Sequence, residues 1–312
     1  MHAHDVVVLG SGPAGCSAAL YARRELLDVL VLEKGEWGGQ IASSSEIENY
    51  PGVPRTDGYS LMASMRDQAL SFGAEFVQEE AVKLRGLPDD TFSILTNSGE
   101  IIARSIIACL GTSPSRAGFH GEVAFTGRGV SYCATCDGLF YRNKHVFVYG
   151  GGNSAAEEAL FLSRFARLVS VVVRKGRMRA DTSLVRKLEA TSNIELLFET
   201  SIVSVEGEDL ISAITLCNVA DGSQRRLEFE EGSFGVFVYV GSRPNTELLK
   251  GIARLDGRGY VITDERMRTS AQGIYAAGDC RNGVLKQVVT AAADGAVAAV
   301  FASRYLGDLK TR

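Results

Sequence analysis

The stretch Asp5-Val6-Val7-Val8-Leu9-Gly10-Ser11-Gly12-Pro13-Ala14-Gly15 returns in altered form as His145-Val146-Phe147-Val148-Tyr149-Gly150-Gly151-Gly152-Asn153-Ser154-Ala155. In each copy an apolar run predicts a buried strand, which turns through glycines into a helical stretch. The first copy reads as a strand over 5–9, a loop over 10–15, a helix to about Arg24 and a second strand over 28–32 that ends at Glu33. The second copy reads as a strand over 145–149, a loop over 150–155, a helix over 155–165 and a strand over 168–173. Glycines are needed where a backbone turns tightly and approaches a pyrophosphate, and the helix after the turn offers free N–H groups to it. Two such βαβ units predict an α/β fold with two Rossmann-like dinucleotide-binding domains of the three-layer ββα type. The second would be inserted into the first, with residues 1–115 and 247–312 forming one domain and 116–246 the other.

The strands beyond the two units fit this plan. Residues 210–218 and 225–230 read as strands joined by the turn Asp221-Gly222. Residues 237–240 form another, leading into Gly241-Ser242-Arg243-Pro244-Asn245. A short strand over 274–276 ends at Gly278-Asp279, and residues 287–305 read as a helix.

The two units differ at the end of their second strand. Glu33 lies about 20 residues past the first loop, where an acid binds a ribose hydroxyl, so the first site favours FAD or NAD. In the second unit the equivalent strand ends in Val173-Arg174-Lys175, with Arg177 and Arg179 just beyond. An acid would repel a 2′-phosphate, whereas Arg and Lys bind one through charge-assisted hydrogen bonds. The second site therefore favours NADP(H), the ordinary alternative being a solvated basic turn.

Just before the second loop stands Cys133-Ala134-Thr135-Cys136-Asp137. Two thiols at this spacing close a small ring and exchange electrons as a pair. A structural zinc centre needs four ligands; no second cysteine pair or nearby histidine cluster exists, and His145 alone does not complete one, so no metal is expected. Asp137 is placed to act as a general acid/base in thiolate–disulfide exchange, or to cap a helix. Asp279, after a buried strand, can bind a ribityl or ribose hydroxyl, with Lys286 and Gln287 close by at the start of the last helix; capping is again the ordinary alternative.

Composition bounds the rest. A chain of 312 residues, 46% hydrophobic, suits two domains with real cores. Lys+Arg 33 against Asp+Glu 37 leaves a net charge of −4, which gives no reason to expect nucleic acid or an anionic membrane as partner. No signal peptide is read before the first strand, and no apolar run reaches the ~18 residues of a membrane span. A soluble cytoplasmic protein is expected. Of the six cysteines, Cys16, Cys109, Cys217 and Cys280 are scattered singly in apolar segments and read as core residues.

With these features in view, the chain resembles the low-molecular-weight thioredoxin reductases over nearly its whole length. The resemblance rests on Ser131 to Asn143 (SYCATCDGLFYRN), Gly150 to Ala159 (GGGNSAAEEA), Gly38-Gly39-Gln40, Glu48-Asn49-Tyr50-Pro51-Gly52, Gly241 to Asn245 and Gly278-Asp279. It implies FAD held by Gly10, Gly12, Pro13, Ala14, Gly15, Glu33, Gly39, Gln40, Asn49, Asp279, Lys286 and Gln287. It implies NADPH held by Gly150, Gly152, Asn153, Ser154, Arg174, Lys175 and Arg179. Cys136 would face the flavin and form the charge-transfer thiolate, Cys133 would attack the disulfide of a thioredoxin-like protein, and Asp137 would donate the proton. A homodimer is implied as well, with a domain rotation hinged near 114–118 and 243–248 that alternates dithiol and nicotinamide at the flavin.

Three departures from the family pattern bear on the electron donor. Val173-Arg174-Lys175 stands where His-Arg-Arg is usual, Cys109-Leu110-Gly111 where Ala-Thr-Gly is usual, and Lys286 where Arg is common. They leave open a related flavoenzyme with another donor or direction: a ferredoxin-linked or diflavin disulfide oxidoreductase, or a small-molecule dithiol oxidase. A flavin-binding redox sensor without turnover is the reading from another class.

Overall fold

The computed structural model describes residues 2–44 and 47–310. Its α-helices are α1 (Pro13–Arg24), α2 (Gly58–Ser71), α3 (Ala134–Asp137), α4 (Asn153–Ser163), α5 (Thr182–Glu189) and α6 (Val288–Lys310). The chain divides into two units. The described residues up to Ser113 and from Arg243 onward form the first, and Pro114–Ser242 forms the second.

The first unit is built on the strand Ala3–Leu9. It pairs in parallel with Val29–Leu32 on one side and Glu100–Ala108 on the other, with Val6 opposite Val29 and Ser105. Val6, Val7 and Val8 are fully buried, as a parallel strand covered on both faces requires. Alternation along the strand divides the core. Val6 and Val8 face Ala18, Ala22 and Ala298, while Val7 and Leu9 face Ile94, Ile106 and Leu249. Glu100–Ala108 forks the sheet. Its first half pairs antiparallel with Phe92–Thr96, which continues to Ala81–Gly86, and its last residues pair in parallel with Ile274–Ala276. A helical layer, a parallel sheet and an antiparallel meander are the three layers of the expected ββα plan.

Small residues let α6 lie on α1. A Cβ on Gly295 would stand 2.1 Å from the Ala14 carbonyl oxygen, and Ala298, Ala299 and Ala302 are fully buried. The apolar C-terminal helix is thus a core helix, and it runs beyond the expected end at 305 to Lys310. Gln287 lies just outside it, its carbonyl accepting from the Ala291 N–H. Among the described residues no helix is long and apolar enough to cross a membrane.

The second unit repeats the plan. Its parallel sheet runs Ile194–Leu197, Leu168–Val172, His145–Tyr149, Phe234–Val238, Val130–Ser131, and its meander is Thr200–Gly207, Ile211–Asn218, Gln224–Glu228. The turn at Asp221-Gly222 forms as expected: Gly222 has φ 74° and the Asp221 carboxylate accepts from the Ser223 N–H. The strand expected over 237–240 instead spans Phe234–Val238. It includes Gly235, whose backbone the Tyr141 ring covers so closely that a Cβ would lie 2.4 Å from a ring carbon. The helix expected over 155–165 begins at Asn153 and ends at Ser163.

The unit boundaries fall at 113/114 and 242/243. Asn245 and Thr246 belong with the first unit because Asn245 N–H donates to the Gly111 carbonyl and Thr246 Oγ1 to that of Gly259.

Candidate functional site

Each unit carries a glycine loop between its central strand and a helix. In the first, Gly10 has φ 107°, and its N–H donates to the Leu32 carbonyl at 2.8 Å. A Cβ on Gly10 would stand 2.3 Å from the Cys109 oxygen, and one on Gly15 would stand 1.8 Å from the Gly10 oxygen. Both glycines are therefore demanded by the fold. Gly12 is different. Its φ of −66° suits any residue, and the nearest atom to a Cβ there would be 3.7 Å away. Gly12 is the N-cap of α1, with no capping side chain and Pro13 beginning the helix. The position is uncrowded, with the Gly38 carbonyl in ordinary contact distance, and it stands at a helix start, which fits a phosphate group.

Glu33 braces this loop. Its Oε2 accepts from the N–H (2.8 Å) and Oγ (2.9 Å) of the buried Ser11, and its Oε1 from the Gly35 N–H at 3.0 Å. Ser11 Oγ in turn accepts from the Gly38 N–H at 3.1 Å. Ser11 and Gly38 are thus further members of the site, visible in the sequence only as loop residues. Gly39 has φ 66° and starts a short 3-10 turn that carries Gln40, whose Nε2 donates to the Thr112 carbonyl. Asn49 Nδ2 donates to Gln287 Oε1 at 2.9 Å, joining two candidates 238 positions apart.

Gly278 (φ 75°) brings the Asp279 turn against α1, since a Cβ on it would meet that of Ala14 at 2.9 Å. Burial raises the Asp279 carboxyl above its ordinary range, and the Lys286 charge opposes that rise. Lys286 Nζ donates to the Asp279 carbonyl at 2.9 Å and lies 3.5 Å from the centre of the Tyr260 ring. An ion pair the sequence does not reveal, Arg281 Nε to Asp294 Oδ2 at 2.7 Å, fixes this turn to α6. All the candidates of the first unit therefore lie on four segments: the loop and start of α1, the end of the second strand with the turn after it, the Asn49 segment, and the Asp279–Gln287 turn.

In the second unit Gly150 (φ 158°) approaches the Tyr239 carbonyl so closely that a Cβ would stand 2.2 Å from its oxygen. Gly152 is the N-cap of α4, again without a capping side chain, and nothing lies within 4 Å of a Cβ built on it. Asn153 is tied to Asp181 by two bonds of 2.8 Å, and the Arg179 N–H donates to the Gly151 carbonyl at 2.6 Å. These bonds hold the basic turn beside the loop. Arg174, Lys175 and Arg179 are exposed. Ser154, exposed at the first turn of α4, stands beside the same opening.

The dithiol belongs to this second unit. Cys133 and Cys136 form a disulfide with Cα atoms 5.4 Å apart. Cys133 is the N-cap of α3, its Sγ accepting from the Cys136 N–H at 3.2 Å, and Ser131 Oγ accepts from the Cys133 N–H at 3.0 Å. The Ala134 N–H donates to Tyr239 Oη at 2.9 Å. Gly138 lets α3 rest on α4: a Cβ there would meet Leu162 and Phe165 side chains at 3.0 Å. Cys136 is exposed, and Cys133 and Asp137 are half-buried.

Tyr239, bonded to the Ala134 N–H, adjoins the dithiol, and Glu158 acts on Tyr239 by its charge; both lie outside the motif that marks the dithiol in the sequence. Burial, aided by the charge of Glu157, pushes Glu158 of α4 up to about 7. Burial also holds the Tyr239 hydroxyl far above its usual range, with the charges of Glu158 and Asp137 acting the same way. The only sequence signal for them is a pair of adjacent acids on an otherwise apolar helix. The free thiols Cys16, Cys109 and Cys280 are buried, and burial raises each of them, so they are inert core residues; Cys217, expected in the core with them, is only half-buried near the end of its strand.

Residues 4–295 match the model of the pyridine nucleotide-disulphide oxidoreductase family. The chain is 42% identical to a thioredoxin reductase of Peptoclostridium litorale, over 98% of both chains. It is 41% identical to a bifunctional thioredoxin reductase/thioredoxin of Mycobacterium leprae, over 98% of this chain and 66% of that one. The crystal structure of Lactococcus lactis thioredoxin reductase in its FR conformation superposes with a TM-score of 0.94 at 36% identity, covering 98% of this chain and 99% of the other.

Proposed function

The chain belongs to the pyridine nucleotide-disulphide oxidoreductase family and is a flavoprotein disulfide reductase that uses FAD and NADPH; from that premise we propose that it passes electrons through Cys133 and Cys136 to the disulfide of a thioredoxin-like protein. The observation that carries this reading is the closed Cys133–Cys136 disulfide, built on the same unit as the second nucleotide loop.

In this reading the first unit holds FAD. Gly12 and the start of α1 over Pro13, Ala14 and Gly15 would receive its pyrophosphate. Glu33 binds a ribose hydroxyl, and Gly39, Gln40, Asn49, Asp279, Lys286 and Gln287 line the rest. Bound FAD supplies a two-electron carrier between a hydride donor and a dithiol. The second unit holds NADPH at Gly150, Gly152, Asn153 and Ser154, with Arg174, Lys175 and Arg179 on the 2′-phosphate. The charge of the basic turn is kept although Val173 and Lys175 stand where the family has His and Arg.

The chain's own chemistry is thiol–disulfide exchange. Once the disulfide is reduced, the Cys133 thiolate attacks one sulfur of the partner's disulfide, forming a mixed disulfide and releasing the other partner sulfur as a thiolate. Asp137 gives that thiolate a proton. Cys136 then attacks Cys133 Sγ, which frees the second partner thiolate and closes the disulfide again. Two electrons leave the enzyme dithiol and both reside on the partner as a dithiol. The Cys136 N–H that donates to Cys133 Sγ favours the thiolate there.

We also propose a cytoplasmic homodimer. A reducing compartment suits this chemistry, and the first unit leaves Leu26, Tyr59 and Phe72 exposed. Sedimentation showing a monomer at micromolar concentration would reject the dimer. The function is tested by anaerobic mixing of the yellow protein with NADPH while flavin absorbance is followed, then by adding oxidised thioredoxin. Bleaching and then recovery of the colour is expected. A flavin that dithionite reduces and NADPH does not would overturn the proposal.

A further inference from the structure

A histidine pair stands at the edge of the first unit, away from that unit's nucleotide loop. His2 and His4 are two positions apart where the first strand begins, so their side chains share one face. Asp28 lies across from them, just before the strand Val29–Leu32. His2 Nε2 lies 2.8 Å and His4 Nδ1 2.9 Å from the same atom, Asp28 Oδ2. The two rings meet edge to face with centroids 5.1 Å apart.

Asp28 is held in place from its backbone. Its carbonyl accepts from the Val6 N–H at 3.0 Å, and its N–H donates to Asp5 Oδ2 at 3.0 Å. Asp5 is itself paired with Arg104 at 3.4 Å. The carboxylate position is therefore set by the sheet, and the histidines come to it.

We propose that His2, His4 and Asp28 form a binding site for a divalent transition-metal ion of the zinc class. The three ligand atoms all lie within 4.8 Å of one another, whereas ligands about 2.0–2.1 Å from a tetrahedral zinc ion are spaced about 3.3 Å apart. Rotation of the exposed His2 ring closes that difference without moving the strand. Two imidazoles and one carboxylate are a donor set that suits zinc, nickel, cobalt and copper rather than calcium or magnesium. The hydrogen bond from the Asp28 N–H to Asp5 Oδ2 holds the backbone that carries the ligating carboxylate. With three protein ligands, a water molecule completes the shell.

The site stands apart from the glycine loop of its own unit. His4 is six residues before Gly10 along the strand, about 20 Å at the usual rise, and lies at the opposite end of the sheet from the loop. Its effect is structural: the ion ties residues 2–4 to the strand Val29–Leu32. The ion requires an unprotonated nitrogen from each imidazole, so any ring hydrogen directed at Asp28 must leave that nitrogen when the metal binds.

The test uses untagged, oxidised holoprotein, whose Cys133–Cys136 disulfide is closed and offers zinc no thiolates. Titration calorimetry with zinc chloride should show one ion per chain and a rise in melting temperature. His4→Ala and Asp28→Asn should each weaken binding by at least about tenfold and abolish the thermal shift. His2→Ala should weaken binding likewise; its side chain is 75% exposed, so it leaves the metal-free melting temperature unchanged and serves where the other variants fold poorly. Nickel should bind more tightly than cobalt. Absence of binding, or zinc binding of equal strength in His2→Ala and wild type, would overturn the proposal. NADPH-driven turnover is the same in either case, so this outcome is separate from that of the reductase assignment.

Discussion

Replacing Gly12 with alanine separates the demands of the fold from those of a cofactor. The backbone at Gly12 has φ −66° and ψ −174°, open to alanine, and the added Cβ would come no nearer than 3.7 Å to any protein atom. Such a change restricts the unfolded chain and stabilises the apoprotein by about 0.4–1 kcal/mol. The holoprotein should respond in the opposite sense. The Cβ occupies the space through which a pyrophosphate reaches the N–H groups at the start of α1. Loss of one hydrogen bond to a charged group costs roughly 1.5–3 kcal/mol, or about 10- to 150-fold in FAD affinity. Gly15→Ala is the contrast: its Cβ would stand 1.8 Å from the Gly10 oxygen, so the apoprotein itself should be destabilised. The assay is thermal melting of both apoproteins, then FAD titration monitored through quenching of flavin fluorescence. Unchanged FAD affinity in Gly12→Ala would refute the reasoning, because the start of α1 at Gly12 would then not be where the phosphates lie.

The second unit supplies three further tests. Cys133→Ser should lower thioredoxin reduction by at least ~1,000-fold while NADPH still reduces the flavin, and normal turnover would remove its role as the attacking thiol. Arg174→Ala should lower kcat/KM for NADPH by about 10- to 150-fold, the worth of one charge-assisted bond, and leave NADH unaffected; equal effects on both would remove the 2′-phosphate contact. Glu158→Gln tests the buried acid. A carboxyl raised from 4.5 to about 7 favours the folded state below pH 4.5, and that contribution is lost as pH rises through about 7. The variant should therefore gain stability over wild type between about pH 5 and pH 8, by at most ~3 kcal/mol; a difference independent of pH would show that Glu158 does not titrate there.

The parts of this molecule that are legible in its sequence are those whose physics is local. A strand, a glycine turn and a helix occupy some twenty consecutive positions, so Val6 to Arg24 and His145 to Ser163 can be read directly. Cys133 and Cys136 are legible because their pairing spans a single turn. Gly235 is hidden for the opposite reason. Its requirement comes from the Tyr141 ring, almost a hundred positions earlier, and no window around 235 contains that ring. The same holds for Asn49 with Gln287, for Arg281 with Asp294, and for Tyr239 beneath the dithiol. A local motif thus identifies the loop that meets a phosphate, whereas the groups that brace the loop or the dithiol are assembled by the sheets. The distinction extends to the glycines. In sequence Gly10, Gly12 and Gly15 are equivalent members of one motif, yet the neighbours brought by the fold assign two of them to packing and leave one with room for a side-chain carbon. That difference makes Gly12 the residue at which binding and folding can be changed independently.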